Sequence, residues 1–266
     1  MKIAITGSSS GVGAFLASTL EQRERSHEIC RIARAPQQGF SFQCDVSDWN
    51  AVENCAKKVS EKWNSLDALI CCAGIQEPIG PAMEIDPLAW RRNLSVNLDG
   101  TFFAIRAFYS LLKKSSRGKV ICFSGGGSTG PRPNFAAYGV AKTGVVRLVE
   151  MLATEWQDEK LDINAIAPGA IFTKMTEEVL ARGETLSGKK EFESAQKMSR
   201  DNDAKLAKVL GLVETLLLPR SDGISGKLIS APWDPWQNLP ALREELMKSD
   251  IYTLRRIVPE DRGKKF

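Results

Sequence analysis

"KIAITGSSSGVG", residues 2–13, is a β-rich run that passes through glycines at 7, 11 and 13 into a helical pattern. Residues 2–6 read as a strand, the pattern near 13–24 as a helix, and TGSSSGVG (6–13) as the turn between them. Glycine lets a backbone turn tightly and come close to a bound group. The N–H groups that open a helix have no intrahelical partner, so they attract negative charge. Such a loop between the first strand and first helix points to a nucleotide pyrophosphate, lined by Gly7, Ser9, Ser10, Gly11, Val12 and Gly13.

The pattern continues along the chain. "EICRIA" (28–33), "FSFQCDV" (40–46), "DALICCAG" (67–74), "KVICFS" (119–124), "DINAIAP" (162–168) and "KLISA" (227–231) read as further strands. "DALICCAG" is apolar throughout, as expected of a parallel strand covered on both faces. Between the strands lie helical periodicities. Val52, Ala56, Val59 and Trp63 form one stripe of a helix from about 48 to 63. Leu98, Phe102, Ile105, Tyr109 and Leu112 share a face of a helix from about 94 to 114. Ala141, Val145, Leu148 and Leu152 align on a helix after Asn134, and another pattern covers 204–218. The alternation predicts an α/β fold: a doubly wound, Rossmann-type parallel sheet of about seven strands with helices on both faces. Residues 1–231 form the nucleotide-binding domain. Within it, 174–203 is polar and charged, interrupted by Gly183 and Gly188, and reads as a lid over the substrate. Residues 232–266 are an extension that packs on the domain or on a neighbouring subunit.

Composition narrows the function. The chain has 266 residues, 43% of them hydrophobic, which suits one large domain with a substantial core. A net charge of +4 argues against a nucleic-acid binder, and no apolar run reaches membrane-spanning length. The N-terminus already reads as a strand, with no room before it for a signal peptide. Six cysteines without a C-x-x-C pair are expected to be buried, reduced thiols of a cytoplasmic protein. The single histidine, His27, argues against a metal site or a Ser-His-Asp triad.

TG-x3-G-x-G at the N-terminus is followed in order by Asp45-Val46, Cys72-Ala73-Gly74, Asn97, Tyr138-x3-Lys142 and Pro168-Gly169-x3-Thr173. This series resembles the short-chain dehydrogenase/reductase family, in its single-domain branch, over roughly residues 1–230. The resemblance implies that Asp45 and Val46 contact the adenine and that Cys72, Ala73 and Gly74 line the cofactor. It implies that Pro168, Ile171 and Thr173 hold the nicotinamide end. The family usually has asparagine where this chain has Cys72. It also implies pairing of subunits through the helices at 94–114 and 134–156, giving a homodimer or homotetramer. The second strand ends in "RIARA" without the acidic residue that would bond a ribose 2′-hydroxyl. Arg34 there favours NADP(H), with NAD(H) the alternative; the competing reading of Arg34 is a solvated loop residue.

Tyr138 and Lys142, four apart on a helix, share a face. A neighbouring ammonium lowers the pKa of a phenol and suits it to proton transfer. By resemblance Tyr138 gives a proton to a carbonyl oxygen, Lys142 also holds the nicotinamide ribose, and Asn97 supports a proton relay. The substrate is then a small carbonyl/alcohol pair, such as a sugar derivative. The family serine, thirteen residues before the tyrosine, is Gly125 here, within "SGGGS" (124–128). Three readings stand: Ser124 or Ser128 takes over, backbone N–H groups do, or the site has decayed into that of a cofactor sensor. A dehydratase or epimerase that retains its cofactor is the other enzymatic alternative. In the extension, Trp233 and Trp236 are candidates to cover the substrate pocket or a neighbouring subunit. Residues 255–266, with five basic residues against two acidic ones, could attract an anionic substrate.

Overall fold

The structure, a computed structural model, describes residues 1–23 and 27–265. The polar stretch 24–26, and with it the end of the helix expected near 13–24, lies outside the described residues, as does residue 266. Seven strands form one parallel sheet: β1 (Lys2–Thr6), β2 (Glu28–Ala33), β3 (Ser41–Gln43), β4 (Ala68–Cys71), β5 (Gly118–Phe123), β6 (Leu161–Ala167) and β7 (Leu228–Ser230). Their order is β3-β2-β1-β4-β5-β6-β7. The chain runs outward one way from β1 to β3 and the other way from β4 to β7. The crevice between β1 and β4, beyond their carboxyl ends, is therefore the topological switch point where ligands bind in such sheets.

Alternation along each strand explains the layers. Ile3, Ile5, Ala68, Ile70, Ile121, Phe123 and Ile166 point into one core, with α1 (Gly11–Gln22) and α8 (Asp203–Leu217). Ala4, Leu69, Cys71, Val120, Cys122, Ile163 and Ala165 point into the other. That side is covered by α2 (Trp49–Lys62), α4 (Gly100–Leu112) and α5 (Ala136–Glu155). A strand buried on both faces cannot show hydrophobic–polar alternation, so these strands read as continuous apolar runs. The stripe expected on α2 is present: Val52, Ala56, Val59 and Trp63 are all buried. Asp48 caps this helix, its carboxylate accepting from the N–H groups of Asn50 and Ala51.

The expected helix at 94–114 is corrected. A first helix, α3 (Pro87–Leu94), starts on Asp86 and runs into a single π-helical turn, Ser95–Asp99, before α4 begins. The π turn widens the helix locally at Asn97. The buried face of α4 is Thr101, Ala104, Ile105, Phe108, Leu111 and Leu112, while Phe102 is 43% exposed. The strand expected over 40–46 is shorter, because the chain turns away after Gln43. Residues 174–203 contain two helices, α6 (Lys174–Ser187) and α7 (Lys189–Lys197). α6 is kinked at Gly183. A small separate core of Ile79, Phe135, Val179 and Ala195 holds this pair to the domain.

The extension lies on its own domain. The Trp236 indole packs over Gly211 of α8 and donates to the carbonyl of Ala231, whereas Trp233 is 84% exposed. After a short helix, α9 (Arg243–Lys248), the Tyr252 carbonyl accepts from Leu228 N–H at the free edge of β7. The Leu254 backbone then bonds Arg147 and Glu150 of α5. Arg255 is engaged by Asp250 and Asp261.

Candidate active site at the sheet switch point

The glycine loop is locked by backbone approach. Gly7 has φ +70, and a Cβ there would lie 2.6 Å from Ala73 N at the end of β4. Only glycine satisfies both conditions without strain. Ser10 opens α1 in extended conformation with no side-chain cap, so the first N–H groups of the helix stay free for another acceptor. No acidic residue stands in that first turn. Gly11 faces Thr173 across the crevice: a Cβ at Gly11 would be 3.6 Å from the Thr173 methyl carbon and near nothing else. Unpaired N–H donors, absent side chains and absent carboxylates together fit a pyrophosphate. Ser8 and Gln37, which sequence reading missed, extend this wall: Gln37 donates to the Ser8 hydroxyl, which donates to Ile32 O.

Around the outer end of the crevice, Arg34 is exposed at the end of β2. Burial alone would raise Asp45. Hydrogen bonds from the Ser47 N–H and hydroxyl, with the charges of Arg34 and Arg92, hold it below the usual carboxylate range. Val46 is buried against the start of α4, close to Gly100. Cys72 and Ala73 line the glycine loop from the β4 side, the Ala73 N–H donating to the Thr6 hydroxyl. Burial pushes the Cys72 thiol up, so it stays protonated. On the far side Pro168 follows β6, Ile171 is buried, and Thr173 opens α6 in a reciprocal cap with Thr176. Asn202 fastens this loop, accepting from Phe172 N–H and donating to Phe172 O.

Asn97 sits in the π turn and is fully buried. Its amide donates to Ile75 O at 2.8 Å and to Asn93 Oδ1 at 2.9 Å, and its oxygen accepts from Ile75 N–H. Asn93, also missed from the sequence, donates in turn to Glu77 O at 2.7 Å. The two asparagines pin residues 75–77. Across Gly74 from Asn97 Oδ1 lies Lys142 Nζ. Lys142 is buried and donates to Phe123 O at 2.9 Å, and burial pulls its pKa down to about 8. Its Nζ stands 5.8 Å from the centre of the Tyr138 ring.

Tyr138 reaches the first glycine of the triplet. A Cβ on Gly125 would be 2.2 Å from the tyrosine oxygen, so the phenol occupies the space that any side chain at 125 would need. Burial raises the Tyr138 pKa and the Arg132 guanidinium opposes that rise. Neither neighbouring serine bonds to Tyr138 among the described residues. Ser124 is buried with its hydroxyl unpartnered. Ser128 is buried, its N–H donating to Gly125 O and its carbonyl accepting from the Thr143 hydroxyl. A groove of about 760 Å³ between α7 and the start of α8 carries Lys189, Lys190, Lys197 and Lys205 but none of these site residues.

The family model described as enoyl-(acyl carrier protein) reductase matches residues 3–231. Versicolorin reductase of Emericella nidulans is 30% identical over 243 residues, 85% of this chain and 91% of that protein. Galactitol 2-dehydrogenase (L-tagatose-forming) of Cereibacter sphaeroides is 33% identical over 68% of this chain and 75% of its own length. Among solved structures, a short-chain dehydrogenase/reductase of Saccharomyces cerevisiae superposes with a TM-score of 0.78 at 21% identity, over 88% of this chain and 96% of that one. A short-chain dehydrogenase of Shigella flexneri, solved with NADP, gives 0.74 at 22% identity, over 87% and 96%. At these identities the structural matches establish the fold.

Proposed function

The chain belongs to the short-chain dehydrogenase/reductase family, as an oxidoreductase of alcohol/carbonyl pairs, and on that premise we propose that it reduces a small, sugar-related carbonyl with NADP(H). The observation that carries this reading is the convergence of Tyr138, Lys142 and Asn97 beside the glycine loop at the switch point. The glycine loop with the free start of α1 would hold the pyrophosphate, Asp45 and Val46 the adenine, and Thr173 and Ile171 the nicotinamide end. When bound, the nicotinamide supplies the hydride. Tyr138 gives its proton to the carbonyl oxygen, and the resulting phenolate is stabilised by nearby positive charge. Asn97 keeps residues 75–77, and with them the wall facing Lys142, in register. Arg34, exposed at the end of β2 with no acidic residue beside it on the strand, supports NADP(H) over NAD(H). Polyol and ketose chemistry in a relative supports the sugar-related substrate class.

The test is direct. Binding of NADPH and NADH to the purified chain, read by nicotinamide fluorescence, should favour NADPH at least tenfold, and Arg34→Ala should remove the preference. Against a panel of ketoses and cyclic ketones, NADPH should be consumed stoichiometrically with product. A product that forms without net NADPH consumption would favour the dehydratase or epimerase alternative. Tight binding with no turnover anywhere in a broad panel would favour the sensor alternative, which the unpartnered Ser124 hydroxyl and the glycine at 125 motivate.

A further inference from the structure

We infer that Arg132 is the positioning residue of this site, the cation that holds Tyr138 ready for proton transfer where position 125 offers no hydroxyl. This rests on the oxidoreductase reading, and it names a part of that machinery the sequence motifs do not contain.

The glycine triplet receives two side chains. Tyr138 Oη fills the Cβ position of Gly125. Arg132 lies along the other two glycines. A Cβ at Gly126 would meet Arg132 Cδ at 3.4 Å and its Nε and Nη1 at 3.6 Å, and a Cβ at Gly127 would meet Arg132 Cβ at 3.4 Å. A side chain at 125 would displace the phenol, and Arg132 runs in van der Waals contact along 126 and 127, so phenol and guanidinium meet one loop. Gly127 also approaches Gly139 of α5, where an added Cβ would be 3.0 Å from Gly139 Cα. The Thr143 hydroxyl fastens the same loop's carbonyls to the helix that carries Tyr138.

Arg132 is held as a working group would be. Its guanidinium lies 3.7 Å from the centre of the fully buried Phe135 ring. Nη1 donates to the buried Gln76 Oε1 at 3.1 Å, and Nη2 pairs with Glu191 of α7 at 2.8 Å. Gln76 donates onward to Met175 O in α6. One arginine therefore links the glycine triplet, the residues pinned by Asn93 and Asn97, and both lid helices. A guanidinium keeps its charge across the accessible pH range, whereas the buried Lys142 ammonium loses its proton near pH 8. When Tyr138 releases its proton to the substrate oxygen, the Arg132 charge stabilises the phenolate that remains. Beside this pair stand Lys142 on α5 and Glu191 from α7, and the thiols of Cys122, Cys72 and Cys71 face Lys142 in turn. The Glu77–Arg182 pair borders them from α6 and the 75–79 loop.

The chain has three tyrosines, so carbon-13 labelling of the tyrosine ring gives three NMR titrations, with Tyr138 assigned by Tyr138→Phe. In Arg132→Gln the Tyr138 midpoint should rise by about one pH unit, turnover should fall on the order of 100-fold, and Arg132→Lys should restore part of both. In Glu191→Gln, which keeps the arginine and removes its counter-charge, the midpoint should fall. A Tyr138 midpoint unmoved in a folded Arg132→Gln protein would overturn the inference. Should that variant not fold, an unmoved midpoint in Glu191→Gln would do the same. Because the titration needs neither cofactor nor turnover, a midpoint that moves in a protein without oxidoreductase activity supports the inference and fails only the functional reading.

Discussion

Gly125 and Tyr138 compete for one volume. Any side chain at 125 must displace the phenol, since its Cβ would start 2.2 Å from the tyrosine oxygen. Gly125→Ser, which restores the residue type the family resemblance implies, should therefore lower activity rather than raise it. The drop should be on the order of tenfold or more, with cofactor affinity unchanged, as measured by kcat and by NADPH titration. Sequence alone showed that the serine was missing but could not show that its space was filled. Arg132 was invisible for the same reason: an arginine six residues upstream of the tyrosine carries no motif, and only the fold lays it along the triplet. Lys142 gives a second prediction. Its pKa is pulled from the ordinary 10.5 to about 8 by burial, so the native chain binds fewer protons than the unfolded one between those values. Stability should rise with pH through that window and be penalised in full below pH 8. Relative to Lys142→Met, the cofactor-free protein should gain several degrees in Tm between pH 8 and 10.

Elements differ in how openly the sequence announces them. The β1–turn–α1 unit was legible because strand, glycine spacing and helix succeed one another with nothing between. Gly7→Ala tests it: the positive φ and the 2.6 Å approach to Ala73 N should cost roughly 1–3 kcal/mol of stability and abolish NADPH binding. Thermal melts and fluorescence titration read both. The α3–π–α4 segment starts earlier than its periodicity indicates, and of the expected face Phe102 alone is exposed. A π turn breaks helical periodicity without leaving a compositional mark, whereas Phe102 turns to solvent within the regular helix that follows. Yet this turn puts Asn97 at Ile75, so the irregularity belongs to the site. The pair α6 and α7 escapes a helical reading because Gly183 and Gly188 interrupt a polar sequence. The pair is held through Val179 and Ala195 packed with Ile79 and Phe135 rather than through a continuous apolar stripe.

At the scale of the whole molecule, the order of seven parallel strands comes from β–α alternation, and the switch point between β1 and β4 comes from that order. The extension was less legible, since its tryptophans and prolines suggest cover for something without saying what. Trp236 covers α8, and residues 252–254 run along the edge of β7 and the outer side of α5. The basic end is engaged in part by Asp250 and Asp261. An apolar face on α4 and α5 stays open, with Phe102 43%, Val140 51% and Met151 55% exposed. We propose this face as the subunit contact. Sedimentation should give a dimer or tetramer at micromolar concentration, and Val140→Glu with Met151→Glu should give a monomer. Central to the proposed chemistry is hydride transfer to a carbonyl with Tyr138 as proton donor. The most direct measurement supplies NADPH deuterated at the nicotinamide C4 with the carbonyl panel and reads the product by mass spectrometry. The expected result is one deuterium on the carbinol carbon, lost in Tyr138→Phe while NADPH still binds. Product without deuterium, or transfer undiminished in Tyr138→Phe, would contradict it.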